Sequence, residues 1–486
     1  MLFIDQPVQV GYSYDTLHNG TKDLASANEM DEEEKTIELD DFIDGHIPEQ
    51  NNTFLYKPHD EKIGLWTESY GGKYGPAFMS FFSHQNEGIR NGTISGPGTH
   101  YLHLDTLGIV NGCIDQAHCT AGYASMLVNN TYGIKAVNET FHHKQMYEME
   151  RPDGIFDQIE KCQDLSHMDD PDEYGDIDEV NEFCKNISAV IEELFIAPYM
   201  ADGNYGWFDI THPAQDPFPH MYEVGFLNQH WVQKALGVPV NHSWVAESVS
   251  AAFSLTGDIN RGDTIEDIAY LLDNGVKVAL VYGDRDYACN WINGETTSIS
   301  IPYTYLPSFT AAGYEPLTVS SPETPPFISY GLARQHGNFS FTRVFQAGHM
   351  VPSYQPEASY QIFKRALFNL DIASGSIDLT KTGGWSGMTE DVEIYSTKGS
   401  QDTWWRRNEI MPAPEHECYV LVPSVCTDEQ REALKNGTAI VKDWIVIGIE
   451  GDENTEGGID HDTKMKEDPE GRQRLLRLTE DKLDLR

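Results

Sequence analysis

Residues 276–282 read Val-Lys-Val-Ala-Leu-Val-Tyr, an almost unbroken run of apolar, valine-rich side chains. A strand with one face in water alternates apolar and polar residues, whereas one that is apolar throughout has to be covered on both faces. Such a strand belongs inside a mostly parallel sheet flanked by helices, and it sets the class as α/β. Shorter apolar runs at 1–4, 62–66 (KIGLW), 107–111 (LGIVN) and 342–346 (TRVFQ) supply further strands. Apolar spacing through Tyr74, Ala77, Phe78, Phe81 and Phe82, and again over 356–370, predicts helices.

The intervening chain changes character. From 113 to about 255 it is polar and helical, as an insertion or cap set over a core split into 1–112 and 256–372. Residues 373–450 read as a C-terminal extension, and 451–486 as a charged tail expected to be disordered. A second acidic stretch, 29–44, is expected to be solvated. At 486 residues the chain is long enough for one large core with an insertion. The net charge of −44 repels phosphate backbones and anionic lipid, which argues against nucleic-acid partners. No stretch reaches the roughly 20 apolar residues of a membrane-spanning helix. The run from Ala439 to Ile449, broken by Lys442 and Asp443, reads as a strand.

Asn-x-Ser/Thr acceptors stand at Asn19, Asn51, Asn91, Asn129, Asn138, Asn186, Asn241, Asn338 and Asn436. Their abundance points to the secretory pathway, extracellular or vacuolar, although no signal peptide is legible at the start of the sequence. Seven cysteines cannot all pair with one another. Cys162 with Cys184 and Cys418 with Cys426 are the natural short-range pairs, and Cys113 with Cys119 is a third candidate. That choice leaves Cys289 as a free thiol.

Three loops carry chemistry. The strand 62–66 runs into Thr-Glu-Ser-Tyr-Gly-Gly and then into a helix, which places Ser69 at a tight strand-to-helix turn. That is the setting of a nucleophile elbow, usually Gly-x-Ser-x-Gly; Gly71 fits, and Thr67 departs from the pattern. A serine in a polar turn is more often only a turn residue. Asp286 follows the buried strand 276–282 in the loop GDRDYACNW, with Asp284 as a competitor two residues earlier; either could simply cap a turn. His349 lies in AGHMVP after the strand 342–346, between a glycine and Pro352. A serine nucleophile needs an imidazole base, and the imidazole needs an orienting carboxylate. Ser, Asp, His, each just beyond a core strand, is the order used by α/β-hydrolases, and it gives the expected fold: a mostly parallel central sheet, a helical cap and an extension.

With these residues in view, FIDQPVQVGYSYD, WTESYGGKYGPAF, FLNQHWVQKALGV, VYGDRDYACNW and AGHMVPSYQPEASY resemble, in order, the signature segments of the serine carboxypeptidases, over about residues 1–372. NNTYGIKAV and CYVLVPSVC are similar to the long, glycosylated fungal-type members. The resemblance implies a cofactor-free hydrolase that releases residues from peptide or protein C-termini, with Ser69 as nucleophile, His349 as base and Asp286 as orienter. It further implies that the Tyr70 N–H donates to the oxyanion, that Glu68 grips the terminal carboxylate, and that Cys289 and Met350 line the pocket. A carboxyl group beside a substrate carboxylate is favourable only when one proton is shared, so an acid optimum is expected.

The family also carries an Asn-Gly-Gly-Pro-Gly-like segment ahead of FIDQP, which supplies a second oxyanion donor. On that comparison the sequence reads as an N-terminally incomplete version of a longer protein, and loss of one such donor is expected to cost about 10²–10³ in kcat. Two other readings stand beside the leading one. An acyltransferase or esterase on the same scaffold would be indifferent to Glu68→Gln. A catalytically silent glycoprotein would leave Ser69 unlabelled by a fluorophosphonate.

Overall fold

The computed structural model describes residues 10–12, 61–172, 174–201, 203–214, 219, 222–319, 329–382, 393–404, 407–410, 417–420, 423–442 and 444–451. The expected strand at 1–4, the acidic stretch 29–44, the sequons at Asn19 and Asn51 and the tail beyond 451 lie outside the described residues. The chain forms two compact units, residues 56–219 with 251–413, and residues 1–55 with 220–250 and 414–486.

The larger unit is built on a six-stranded sheet: β1 Lys62–Glu68, β2 His103–Val110, β3 Lys277–Gly283, β4 Tyr314–Thr318, β5 Ser329–His336 and β6 Phe339–Val344. Its spatial order is β1-β2-β3-β6-β5-β4. The first four strands in that order pair in parallel, and β5 and β4 add antiparallel at the edge. The mixed, mostly parallel sheet with its helices is consistent with the expected α/β-hydrolase class.

The run 276–282 forms most of the central strand β3, and its side chains alternate between two cores. Val278, Leu280 and Tyr282 join Leu107, Ile109, Phe339 and Phe341 on one face. Ala279 and Val281 join Val344 and the inner side of the helix Pro356–Leu367, through Ala358, Ile362 and Ala366, on the other. That helix stops three residues short of the expected end, and Asn369 turns left-handed at φ 58° just beyond it. β2 begins four residues before the expected strand because its start is polar: Asp105, buried there, pairs with Lys62 at 2.9 Å and Lys277 at 2.7 Å. Strands β4 and β5 were not anticipated either, since Pro316 and the polar Arg334-Gln335-His336 disguise them; Arg334 lies 4.4 Å over the Tyr314 ring.

The helix after β1, α1 Gly71–Asn91, turns a different face inward from the one its aromatics suggest. Gly71, Gly72, Gly75, Pro76 and Met79 are buried, while Phe78, Phe81 and Phe82 are exposed. Small residues face the sheet because the helix approaches it closely at the elbow. The polar helical stretch supplies α2 Gln116–Met126, α3 Glu139–Glu150, α4 Ile155–Asp169 and α5 Asp178–Ile191, with Cys162–Cys184 bridging α4 and α5.

The smaller unit gathers Val224 of the helix Tyr222–Leu227 with Cys418, Tyr419, Val425, Cys426 and Val446 around the Cys418–Cys426 bridge. Here the single strand expected over 439–449 is corrected to a hairpin: β7 Cys418–Tyr419, β8 Ala439–Lys442 and β9 Ile445–Ile449 form a three-stranded sheet in which β8 and β9 are antiparallel. Lys442 ends β8, and Trp444, just ahead of β9, adopts the left-handed region at φ 68°.

The cysteine assignment needs a second correction. Cys113 is bonded to Cys289, not to Cys119, so Cys289 is not a free thiol; Cys119 is free and buried within α2. Cys113 follows β2 and Cys289 follows β3, and adjacent parallel strands bring those two loops together across a sequence separation of 176.

Candidate active site

Ser69, Asp286 and His349 follow β1, β3 and β6, all parallel, so the three loops leave the same edge of the sheet. That edge, at the strands' carboxyl ends, is where open α/β sheets bind ligands.

Ser69 takes φ 61°, a conformation that costs a non-glycine residue energy and persists only where its surroundings hold it. They do: its N–H donates to Val110 O (3.1 Å), and its carbonyl accepts from Gly72 N (2.8 Å) and Cys113 N (3.1 Å). The departure at Thr67 is absorbed by two glycines. A Cβ on Gly71 would come within 2.6 Å of Thr67 Cβ, and one on Gly75 within 2.8 Å of Thr67 Oγ1. Thr67 Oγ1 instead donates to Gly71 O at 2.8 Å and ties the elbow down.

Asp286 is fully buried, and its carboxylate is ringed by donors. Oδ2 accepts from His349 Nδ1 (2.7 Å), Asn111 Nδ2 (2.8 Å) and Cys289 N (3.1 Å), and Oδ1 accepts from Ala288 N (3.0 Å). A carboxylate out of water is tolerated only when its lone pairs are satisfied in this way. The competitor Asp284 points elsewhere: it pairs with buried Arg343 (3.2 Å) and accepts from Tyr132 Oη (2.6 Å), Gln346 N (2.9 Å) and Asn408 Nδ2 (2.5 Å). Arg343 in turn lies 4.1 Å over the Trp291 ring. Asp284 therefore braces the turn from which Asp286 reaches the imidazole.

His349 is buried, its N–H donates to Phe208 O (2.9 Å), and its ring leans on the Phe208 ring at 4.7 Å between centroids. Burial pushes the imidazole pKa down, but the carboxylates of Asp286 and Glu68 outweigh it and hold the ring's pKa above its usual value. Glu68, the last residue of β1, keeps solvent contact. Protein nevertheless crowds enough of its surroundings that burial is the largest influence on it. Burial and the like charge of Asp286 raise its pKa; His349 pulls the other way and loses.

The remaining expected positions lie around these groups. The Tyr70 N–H opens α1 and has no acceptor among the described residues. The Tyr70 hydroxyl donates to Asp258, and its ring stacks on Phe253 at 5.5 Å. Met350 is half-buried just beyond His349, and Cys289 is buried in the disulfide. Asn111, which a reading of the sequence passed over as the end of a strand, touches Asp286 directly. The one local signal it offered was an amide at the carboxyl end of a core strand.

The arrangement holds an imidazole in one tautomer and places a backbone donor at the same sheet edge as Ser69; His349 and Asp286 are joined by a hydrogen bond, while the Ser69 hydroxyl makes none among the described residues. A sequence profile described as serine carboxypeptidase matches residues 1–369. Among curated proteins the chain is similar to carboxypeptidase S1 homolog A of Arthroderma otae, 42% identical over 92% of this chain and 71% of that protein. It is similar to a carboxypeptidase Y homolog of Arthroderma benhamiae, 37% identical over 92% of this chain and 73% of that protein. Among solved structures it is similar to Kex1(delta)p, a prohormone-processing carboxypeptidase from Saccharomyces cerevisiae, with TM-score 0.46 and 20% identity. That match covers 63% of this chain and spans 62% of the yeast one.

Proposed function

The chain belongs to the serine carboxypeptidase family, and from that premise we propose that it releases C-terminal residues from peptides through an acyl-enzyme on Ser69. The observation that carries this reading is the 2.7 Å hydrogen bond from His349 Nδ1 to Asp286 Oδ2 beside the left-handed elbow at Ser69. His349 Nε2 takes the Ser69 proton as Oγ attacks the scissile carbonyl, and the Tyr70 N–H donates to the oxyanion. The same proton passes to the departing amine, which leaves as the free C-terminal residue. Water, deprotonated by the imidazole, then releases the shortened peptide. Hydrolysis of a blocked dipeptide with a free C-terminus, against its C-terminal amide, tests the reading; equal rates on both would sink it.

Glu68 is proposed to hold the substrate's terminal carboxylate through a shared proton. Its raised pKa keeps that proton to a higher pH than an ordinary carboxyl would. KM is therefore expected to rise as pH climbs through the raised value and repulsion replaces the hydrogen bond. Glu68→Gln should remove this pH dependence, with KM at acid pH about tenfold higher because a neutral donor replaces a charge-sharing one. The same change removes a negative charge that raises the pKa of His349. The acid limb of kcat/KM, which reports an imidazole that must be neutral to accept the serine proton, should move to lower pH. A wild-type KM that is flat from acid to neutral pH would rule this role out.

The sequons support a secreted or vacuolar glycoprotein. Asn91, Asn129, Asn138, Asn186, Asn241 and Asn436 are exposed. Asn338 differs, since its Nδ2 donates to both Leu272 O (3.0 Å) and Val276 O (2.9 Å), and a glycan there would displace one of them. Glycopeptide mapping after secretion from a fungal host is expected to find Asn338 empty and exposed acceptors occupied. Among the described residues no helix is long and apolar enough to cross a membrane.

A further inference from the structure

The residue beyond β2 makes more directed contacts around the triad than its place in the chain suggests. Asn111 is fully buried and adopts φ 40°, in the left-handed region that Asn occupies more readily than most residues. Its N–H donates to Val281 O at 2.8 Å. Its Oδ1 accepts from Gly283 N at 2.9 Å, while Nδ2 donates to Asp286 Oδ2 at 2.8 Å and to Cys289 O at 3.2 Å. The amide can be oriented only one way, because oxygen faces a donor and nitrogen faces two acceptors.

One of these contacts reaches the carboxylate oxygen that holds the imidazole. Asp286 Oδ2 is the atom that accepts from His349, and Asn111 and the Cys289 N–H fix it from its other sides. Removal of the Asn111 donor leaves Oδ2 with only His349 and the Cys289 N–H, and Oδ1 with the Ala288 N–H, on a last torsion that is soft and roughly two-fold. The segment that carries Asn111 is itself anchored at the nucleophile: two residues on, Cys113 N donates to Ser69 O, and Cys113 is bonded to Cys289. Residues 111–113 thus span from the backbone of Ser69 to the carboxylate of Asp286.

We propose that Asn111 is a positioning residue that sets the rotation of the Asp286 carboxylate and so keeps the His349 proton on Nδ1, leaving Nε2 free to accept from Ser69. The inference rests on the triad reading above. It predicts a loss confined to the chemical step, since Asn111 has no part in holding substrate.

Two variants of the full chain separate this role from a merely structural one. Asn111→Asp keeps the shape and the acceptor for Gly283 N but removes the donor; Asn111→Gly keeps the left-handed backbone and removes the side chain. Both are expected to lower kcat about 10- to 100-fold, the usual cost of losing a group that orients another ligand, with KM unchanged. The far-downfield proton resonance of the His349–Asp286 hydrogen bond should shift or vanish, and fluorophosphonate labelling of Ser69 should slow in step with kcat. Ser69→Ala is run beside them. If it costs no activity, or if wild type neither turns over nor labels, the triad reading fails and takes the inference with it. If Ser69→Ala is dead but either folded Asn111 variant keeps wild-type kcat, the inference alone falls. It falls equally if kcat drops while the downfield resonance stays where it is in wild type, or if neither variant folds, which would make Asn111 a structural residue.

Discussion

Ser69→Ala is expected to lower kcat by about 10⁵- to 10⁶-fold, the scale on which loss of the nucleophile acts in a serine triad. The loss should be purely chemical. Three backbone hydrogen bonds hold the elbow, to Val110 O and from Gly72 N and Cys113 N, and none uses the serine hydroxyl. Alanine suffers no more at φ 61° than serine does, so the turn and the packing of Thr67 against Gly71 and Gly75 survive the change. Substrate affinity, which on the proposed reading rests on Glu68, should be retained. A steady-state assay with a fluorophosphonate label checks both halves of this expectation. Residual activity within tenfold of wild type would remove Ser69 from the mechanism.

Asp286→Asn is expected to cost about 10⁴ in kcat while the protein stays folded. The geometry explains why an isosteric change is so damaging. Four N–H groups point at this carboxylate, three at Oδ2 and one at Oδ1, and a carboxamide has only one oxygen to offer. If that oxygen stays at the Oδ2 position, the new NH2 confronts the Ala288 N–H. If it turns away, the NH2 faces His349 Nδ1, and the ring must put its proton on Nε2, where it can no longer accept from serine. Neither arrangement supplies the negative charge that raises the imidazole pKa. The pH profile separates this outcome from simple unfolding: the acid limb should move to lower pH in a variant of near-native melting temperature. Activity above a tenth of wild type would transfer the orienting role elsewhere, and Asp284, held by Arg343, Tyr132 and Asn408, is badly placed to take it.

The same contacts explain why buried polar groups near the site are arranged in two separate networks. Asp284 and Arg343 neutralise each other under the Trp291 ring and hold the turn after β3. Asp286 has no lysine or arginine partner among the described residues, which on the proposed mechanism leaves its charge to the imidazolium of His349. A second arginine between the two carboxylates, Arg285, is spent on Asp209, at 2.8 Å. Breaking such a buried pair strands a charge in low dielectric, which keeps these side chains off the chemistry.

The central strand, the elbow and the order Ser, Asp, His could be read directly because each is written in contiguous residues. An apolar run, a serine between a short strand and a glycine pair, and a histidine in a turning loop are local patterns, and local sterics and burial act on them wherever the chain goes. The resemblance singled out Asp286 over Asp284, two residues apart in the same loop, but the physical reason lies in the positions of Arg343 and His349. Cys289 looked unpaired because its partner, Cys113, is remote in the chain and next to it only once β2 lies against β3. Asn111 offered only an amide at the end of a core strand, and an amide has no chemistry until a neighbouring strand presents it with a carboxylate. Side-chain identity fixes what a residue can do; which other residue it does it with depends on strand order, and strand order is settled by the burial of the whole sheet.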